Sequence, residues 1–223
     1  MRIAPLLNIR PGVTALIGGG GKTTLMYTLT EELRSLGSVI LCTSTKIRVP
    51  EHYRTFSGGD ASSLREALAM DSAVCVGTPI PNGKLGPPLL SFDELARLAD
   101  HVIVEADGSA GMPLKAHAEH EPVIPRCADQ TVLILGADGL GQPIRLACHR
   151  PELYAALAAV PADAPVTPEA AVRVIRAEGL GDRVLINKAE DEPRMRAARE
   201  IAAALFCPVI AGSLHRREYL CLS

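Results

Sequence analysis

The sequence predicts an α/β fold, a mainly parallel sheet with helices on both faces. Three observations point there. Short continuous apolar runs alternate with segments of helical period, the pattern of strand–helix–strand units. Most of these runs lack a polar face, as expected of parallel strands covered on both sides. Of the 223 residues, 48% are apolar but only 3% aromatic, so the core must be built from Val, Ile, Leu and Ala.

Taken in order, residues 13–17 read as the first strand, and four glycines follow. Residues 23–36 keep helical spacing through Leu25, Met26, Leu29, Leu33 and Leu36 until Gly37 stops them. A second strand, 39–42, ends in the polar run Thr43-Ser44-Thr45-Lys46. Residues 62–70 read as a helix, 73–76 as a strand, and the Pro- and Gly-rich stretch 78–88 as an exposed loop. Ser91 with Glu94 forms a capping-box pattern ahead of Leu95 and Leu98. Strand 102–104 runs directly into Glu105-Ala106-Asp107-Gly108.

Residues 109–126 have no clean period. They read as an irregular insertion near 109–130 within one domain spanning 1–223. Beyond it come a strand at 131–135, a helix at 151–160, and a helix from Thr167-Pro168 to Ala177 with Pro at its first position. A strand at 184–186 ends at Asn187, a helix covers 193–205, and 208–211 is the last strand, before Gly212-Ser213-Leu214. In open parallel sheets ligands bind beyond the carboxyl ends of the strands. The polar clusters following these strands all fall at that edge, which predicts one shared site.

Composition removes several function classes. The formal charge is −2 and no basic stripe with interleaved aromatics appears, so no nucleic-acid partner is expected. Apolar runs break before the ~20 residues a bilayer crossing requires, and residues 1–11 lack the layout of a signal peptide. The expectation is a cytoplasmic protein with no membrane partner. The six cysteines contain no CxxC pair, which argues for mostly buried, reduced thiols.

Gly18-Gly19-Gly20-Gly21-Lys22-Thr23-Thr24 lies between a strand and a helix, where amides and the helix dipole converge on an anion. This makes the fold P-loop NTPase-like, with the phosphates of ATP or GTP in the loop. Lys22 is expected to reach the terminal phosphates and Thr23 to ligate Mg²⁺. The strict pattern places Gly where this chain has Leu16, so the loop is a shortened variant. Glu105 and Asp107, two residues apart past an apolar strand, are candidates to hold Mg²⁺ and to orient an attacking group. Either alone can instead cap a turn.

Asn187-Lys188-Ala189-Glu190 is similar to the guanine-reading pattern NKxD, with Glu190 in place of Asp, and leaves ATP and GTP both open. Lys46 and Lys115 are further phosphate-contact candidates. His117 and His120 would share a face and ligate a metal if their segment were helical, but Pro113, Pro122 and Pro125 argue against a helix.

The GGGGKTT loop, the TSTKI run, the NKAE end and above all EADGSAGMPLKAHAEHEPVIP at 105–125 together resemble the YqeC family. The resemblance covers nearly the whole chain. It implies an accessory factor for selenium-dependent molybdenum hydroxylases, whose partner is such a hydroxylase or an enzyme of cofactor biosynthesis. The Glu105-x-x-Gly108 pattern is more distantly similar to metallochaperone GTPases, without their Cys-containing motif. The shorter loop is similar to that of the Mur ligases, which explains Leu16. Two functions follow as expectations: a Mg²⁺-dependent NTPase or phosphotransferase, and a nucleotide-gated binding or chaperone module with little hydrolysis of its own.

Overall fold

The computed structural model describes residues 1–223. A short N-terminal helix, α1 (Ile3–Leu6), leads into the central strand β1 (Gly12–Gly18), the glycine loop and α2 (Lys22–Leu33). The chain continues through β2 (Val39–Thr43), β3 (Ile47–Arg48), β4 (Arg54–Phe56), α3 (Ala61–Met70) and β5 (Ala73–Val76). A hairpin of β6 (Thr78–Ile80) and β7 (Lys84–Gly86) precedes α4 (Phe92–Leu98), β8 (His101–Glu105) and β9 (Leu114–Lys115). The second half holds β10 (Gln130–Gly136), α5 (Ile144–Ala147), β11 (Cys148–His149), α6 (Pro151–Ala158), α7 (Pro168–Glu178), β12 (Arg183–Asn187), α8 (Glu192–Ala204), β13 (Val209–Ser213) and β14 (Glu218–Cys221).

The main sheet has nine strands in the order β14-β13-β12-β10-β1-β8-β2-β5-β4. Every pairing in it is parallel except β13 with β14. Alternation along β1 explains the layering, because successive side chains leave on opposite faces. Ala15 and Ile17 join a cluster with Tyr154 of α6, Val174 of α7 and Ile201 of α8, while Leu16 joins Leu25, Met26 and Leu29 of α2 on the other face. Val13 contributes to a third cluster, with Leu64 of α3 and Leu95 of α4. The fold is therefore the predicted α/β sheet with helices on both faces.

Several local expectations need correction. The helix after the loop ends at Leu33, and Leu36 is 71% exposed, so its helical spacing was coincidental. Residues 78–88 are not a plain exposed loop. β6 and β7 pair there and β3 joins them as a three-stranded sheet, with Leu85 buried. The signal was Asn82-Gly83, which both take positive φ at the hairpin tip. The irregular insertion contains β9, which pairs with β11 and buries Leu114 and Ala116. Cys42, Cys75 and Cys148 are buried, whereas Cys127 and Cys207 are partly exposed and Cys221 exposed; all six thiols are free. No helix is long and apolar enough to cross a membrane.

Candidate phosphate-loop site

The glycine loop is held from behind by three amides. Gly18 N–H donates to Asp107 Oδ2 at 2.9 Å, Gly19 N–H to the Ile134 carbonyl at 2.9 Å and Gly20 N–H to the Met112 carbonyl at 3.1 Å. The first rung of α2 is Leu25 N–H to the Gly21 carbonyl. The amides of Lys22, Thr23 and Thr24 therefore precede that rung and have no intrahelical acceptor. Gly20 requires glycine: at φ +77°, a Cβ there would lie 2.3 Å from Gly136 N. Gly18 and Gly19 were expected to touch phosphate. Their amides are committed to the sheet side, and the open cavity is lined instead by Gly20, Gly21, Lys22, Thr23 and Thr24.

That cavity, of about 870 Å³, runs along the carboxyl edge of the sheet. One end is lined by Asn187, Lys188, Glu190, Ser213, Leu214 and His215, the other by Lys46, Arg48 and Lys84, with Glu105 and Gly108 to Gly111 between them. At the first end, Asn187 is a tie rather than a free reader. Its Nδ2 donates to the Gly20 carbonyl at 2.8 Å, and its Oδ1 accepts from Leu214 N–H at 2.9 Å. Lys188 pairs with Asp138 at 2.7 Å, and Glu190 Oε1 accepts from Ser213 Oγ at 2.6 Å.

Glu105 and Thr23 meet at the centre, Thr23 Oγ1 donating to Glu105 Oε2 at 2.7 Å. Burial pushes the Glu105 carboxyl up, against the opposing pull of Lys22 and the Thr23 bond. A hydroxyl and a carboxylate oxygen side by side in a phosphate cavity suit a hard, oxygen-seeking cation such as Mg²⁺.

Asp107 does not join them. It is fully buried behind the loop, with Lys22 Nζ 3.0 Å from Oδ1, and Oδ2 accepting from Gly18 N–H and lying 2.6 Å from His117 Nε2 and 3.4 Å from Lys115 Nζ. Burial raises its pKa, but the His117 bond and the two lysines outweigh that and hold the carboxyl below its usual range. Asp107 thus stands behind the loop and not on the cavity wall, so the structure does not bring it together with Glu105 and Thr23 as the two-residue spacing led one to expect. Lys115, expected at the phosphates, is likewise off the cavity wall, buried against Glu121 at 2.8 Å and the Gly108 carbonyl. The segment carrying His117 and His120 is not helical: His117 bridges Asp107 and Glu178, and His120 lies beside Arg150. No group of three or more His, Cys, Asp or Glu side chains is placed to hold a metal.

Sequence reasoning missed Asp138, Arg48, Lys84, Arg194 and His215 on the cavity wall. Asp138 was findable, because Gly136-Ala137-Asp138 places an acid just past an apolar strand, the signal that identified Glu105. Lys84 falls within 78–88, which reads as a loop, and Arg48 follows the TSTKI run with no local pattern to mark it.

A family model described as YqeC protein matches residues 14–152. The uncharacterized protein YqeC of Escherichia coli (strain K12) is 33% identical over 175 residues, which is 75% of this chain and 68% of that protein. Among solved structures, the signal recognition particle 54 kDa protein from Aeropyrum pernix K1 in complex with GDP aligns with 96% of this chain at 17% identity and a TM-score of 0.42. The chain spans 44% of that protein's length.

Proposed function

This chain belongs to the YqeC family, and from that premise together with the geometry of its cavity we propose that it binds a nucleoside triphosphate with Mg²⁺ and cleaves or transfers the terminal phosphate. The observation that carries the reading is the loop between β1 and α2, where free amides of α2, the Lys22 ammonium and the Thr23–Glu105 pair converge on one cavity. The amides and the helix N-terminus bind phosphate oxygens. Lys22 Nζ, 2.5 Å from the Gly18 carbonyl, can exchange that carbonyl for a phosphate oxygen while keeping its contact with Asp107. Thr23 and Glu105 are the residues that would hold Mg²⁺, which when bound neutralises charge on the β- and γ-phosphates. The base lies toward Asn187, Lys188, Glu190 and Ser213, and ATP and GTP both remain candidates.

One observation favours the second reading, a nucleotide-gated module with slow hydrolysis. Each carboxylate that lines the cavity already has a partner, Glu105 in Thr23, Asp138 in Lys188 and Glu190 in Ser213, and none is held ready beside the phosphate loop as a base. The proposed setting is the cytoplasmic maturation of a selenium-dependent molybdenum hydroxylase or its cofactor. It is supported by the likeness of segment 105–125 to the family.

Binding and hydrolysis of ATP and GTP with Mg²⁺, measured on the wild type and Lys22→Ala in parallel, test the reading. Binding with turnover, both lost in the variant, supports the NTPase. Tight binding without turnover supports the gated module, and no binding of either nucleotide removes the proposal.

A further inference from the structure

The cations on the cavity wall divide into two kinds. Lys22 is paired with Asp107, Lys188 with Asp138 and Arg194 with Asp191. Lys46, Arg48 and Lys84 line the same cavity and take part in none of the chain's ion pairs. Arg48 and Lys84 are also directly opposite one another in the antiparallel β3–β7 pair. Like charges at facing cross-strand positions are destabilising, and no acid stands between these two to offset the repulsion. An anion bridging the two heads would offset that repulsion.

The topology says where that anion would sit. In the order β12-β10-β1-β8-β2, the base-side loops follow β12 and the strand beyond it, the phosphate loop follows β1, and Lys46 follows β2. At the usual strand spacing β2 lies about 10 Å from β1, on the side away from the base loops. The cationic end is thus displaced beyond the terminal phosphate of a nucleotide laid along this edge. Three unpaired cations on one wall, one of them a guanidinium fork, suit the charge of a dianionic phosphate.

We propose that Lys46, Arg48 and Lys84 form a second oxyanion subsite that holds the phosphate of a phosphorylated small-molecule co-substrate beside the nucleotide's terminal phosphate. The assignment rests on the nucleotide reading of the same cavity and deepens it by naming the chemical class of the co-substrate, a phosphate monoester bound beside the nucleotide.

The test titrates inorganic phosphate into protein saturated with a non-hydrolysable nucleotide and Mg²⁺, comparing the wild type with Arg48→Gln/Lys84→Gln and with Arg65→Gln, an exposed cation on α3 that serves as control. The expected result is saturable phosphate binding in the wild type and the control. In the double variant it should be weakened at least about tenfold, with nucleotide affinity changed less than about threefold. Equal phosphate binding in all three proteins, or none in the wild type, overturns the subsite. So does a parallel loss of nucleotide affinity, which would make these cations contacts of the nucleotide itself. If no nucleotide binds, phosphate is titrated into Lys22→Ala with and without the double substitution. A site that still depends on Arg48 and Lys84 sustains the subsite while the nucleotide reading fails, and its absence overturns both. Because Arg48 and Lys84 are exposed and mutually repulsive, the double variant should melt at the wild-type temperature or above it.

Discussion

Asp107 Oδ1 lies 3.0 Å from Lys22 Nζ, and both side chains are almost wholly buried. Through Oδ2 the same carboxylate takes the Gly18 amide and the His117 ring. One side chain thus fastens the phosphate loop to the segment after β8, where sequence reasoning expected a catalytic acid.

The first prediction concerns that fastening. Asp107→Ala leaves Lys22 and Lys115 buried without their shared counter-charge, and removing one partner of a buried pair costs about 3–5 kcal/mol. Urea denaturation should show a loss of that order, with a smaller one for Asp107→Asn. A loss within about 1 kcal/mol would mean that the lysines find other partners.

A second prediction separates two glycines of nearly equal φ. Gly20 has φ +77° and a virtual Cβ 2.3 Å from backbone, whereas Gly141 has φ +79° and nothing within 4 Å. Gly141→Ala should carry only left-handed strain, about 1–2 kcal/mol. Gly20→Ala adds a backbone clash, so its cost should exceed that of Gly141→Ala by about 2 kcal/mol and nucleotide binding should be lost with it. Equal thermal shifts for the two variants would refute the crowding at Gly20.

The difference between what sequence reasoning reached and what it missed follows from which groups act locally. The strand, glycine loop and helix at 13–33 are encoded within one window, as are Glu105 and the Asn187 end, and all were legible. Asp107 and Glu105 looked equivalent because the two-residue spacing carries no information about what faces each one. Their fates are decided by Lys115 and His117, which arrive from a segment with no period, and by Glu178 at the end of α7. The edge strand β14 was missed because its four residues pair antiparallel with β13 at the margin of the sheet and only Tyr219 is buried. Arg48 and Lys84 become neighbours only through the β3–β7 pairing, which no local pattern specifies.

A third prediction addresses the cation. With Thr23 Oγ1 and Glu105 Oε2 2.7 Å apart on the cavity wall, Mg²⁺ should strengthen triphosphate binding in the wild type. In Glu105→Gln and Thr23→Val most of that increment should vanish, while binding measured with a chelator changes little. An Mg²⁺ increment that survives both substitutions would assign the ion to other ligands.

The last prediction is a pH dependence centred on His117. Its Nε2 lies 2.6 Å from Asp107 and its Nδ1 2.8 Å from Glu178, so both ring nitrogens face carboxylate oxygens. A neutral imidazole can donate to only one of them, whereas the imidazolium donates to both. Burial pulls the His117 pKa down, but the two carboxylate bonds outweigh it, and the folded value stands above the ordinary one. Protons are then bound more tightly by the folded state. The stabilisation is full below the unfolded value of about 6.5 and is lost as pH rises through the folded value, so unfolding free energy should fall with rising pH across that window. Asp107 does not reverse this, since its lowered pKa keeps it ionised there. His117→Gln keeps one donor and cannot titrate, so its stability should stay flatter over the same range. Parallel slopes for the two proteins in urea denaturation would show that the ring is neutral in the folded state and that Asp107 is held by its lysines and the Gly18 amide without a third positive charge.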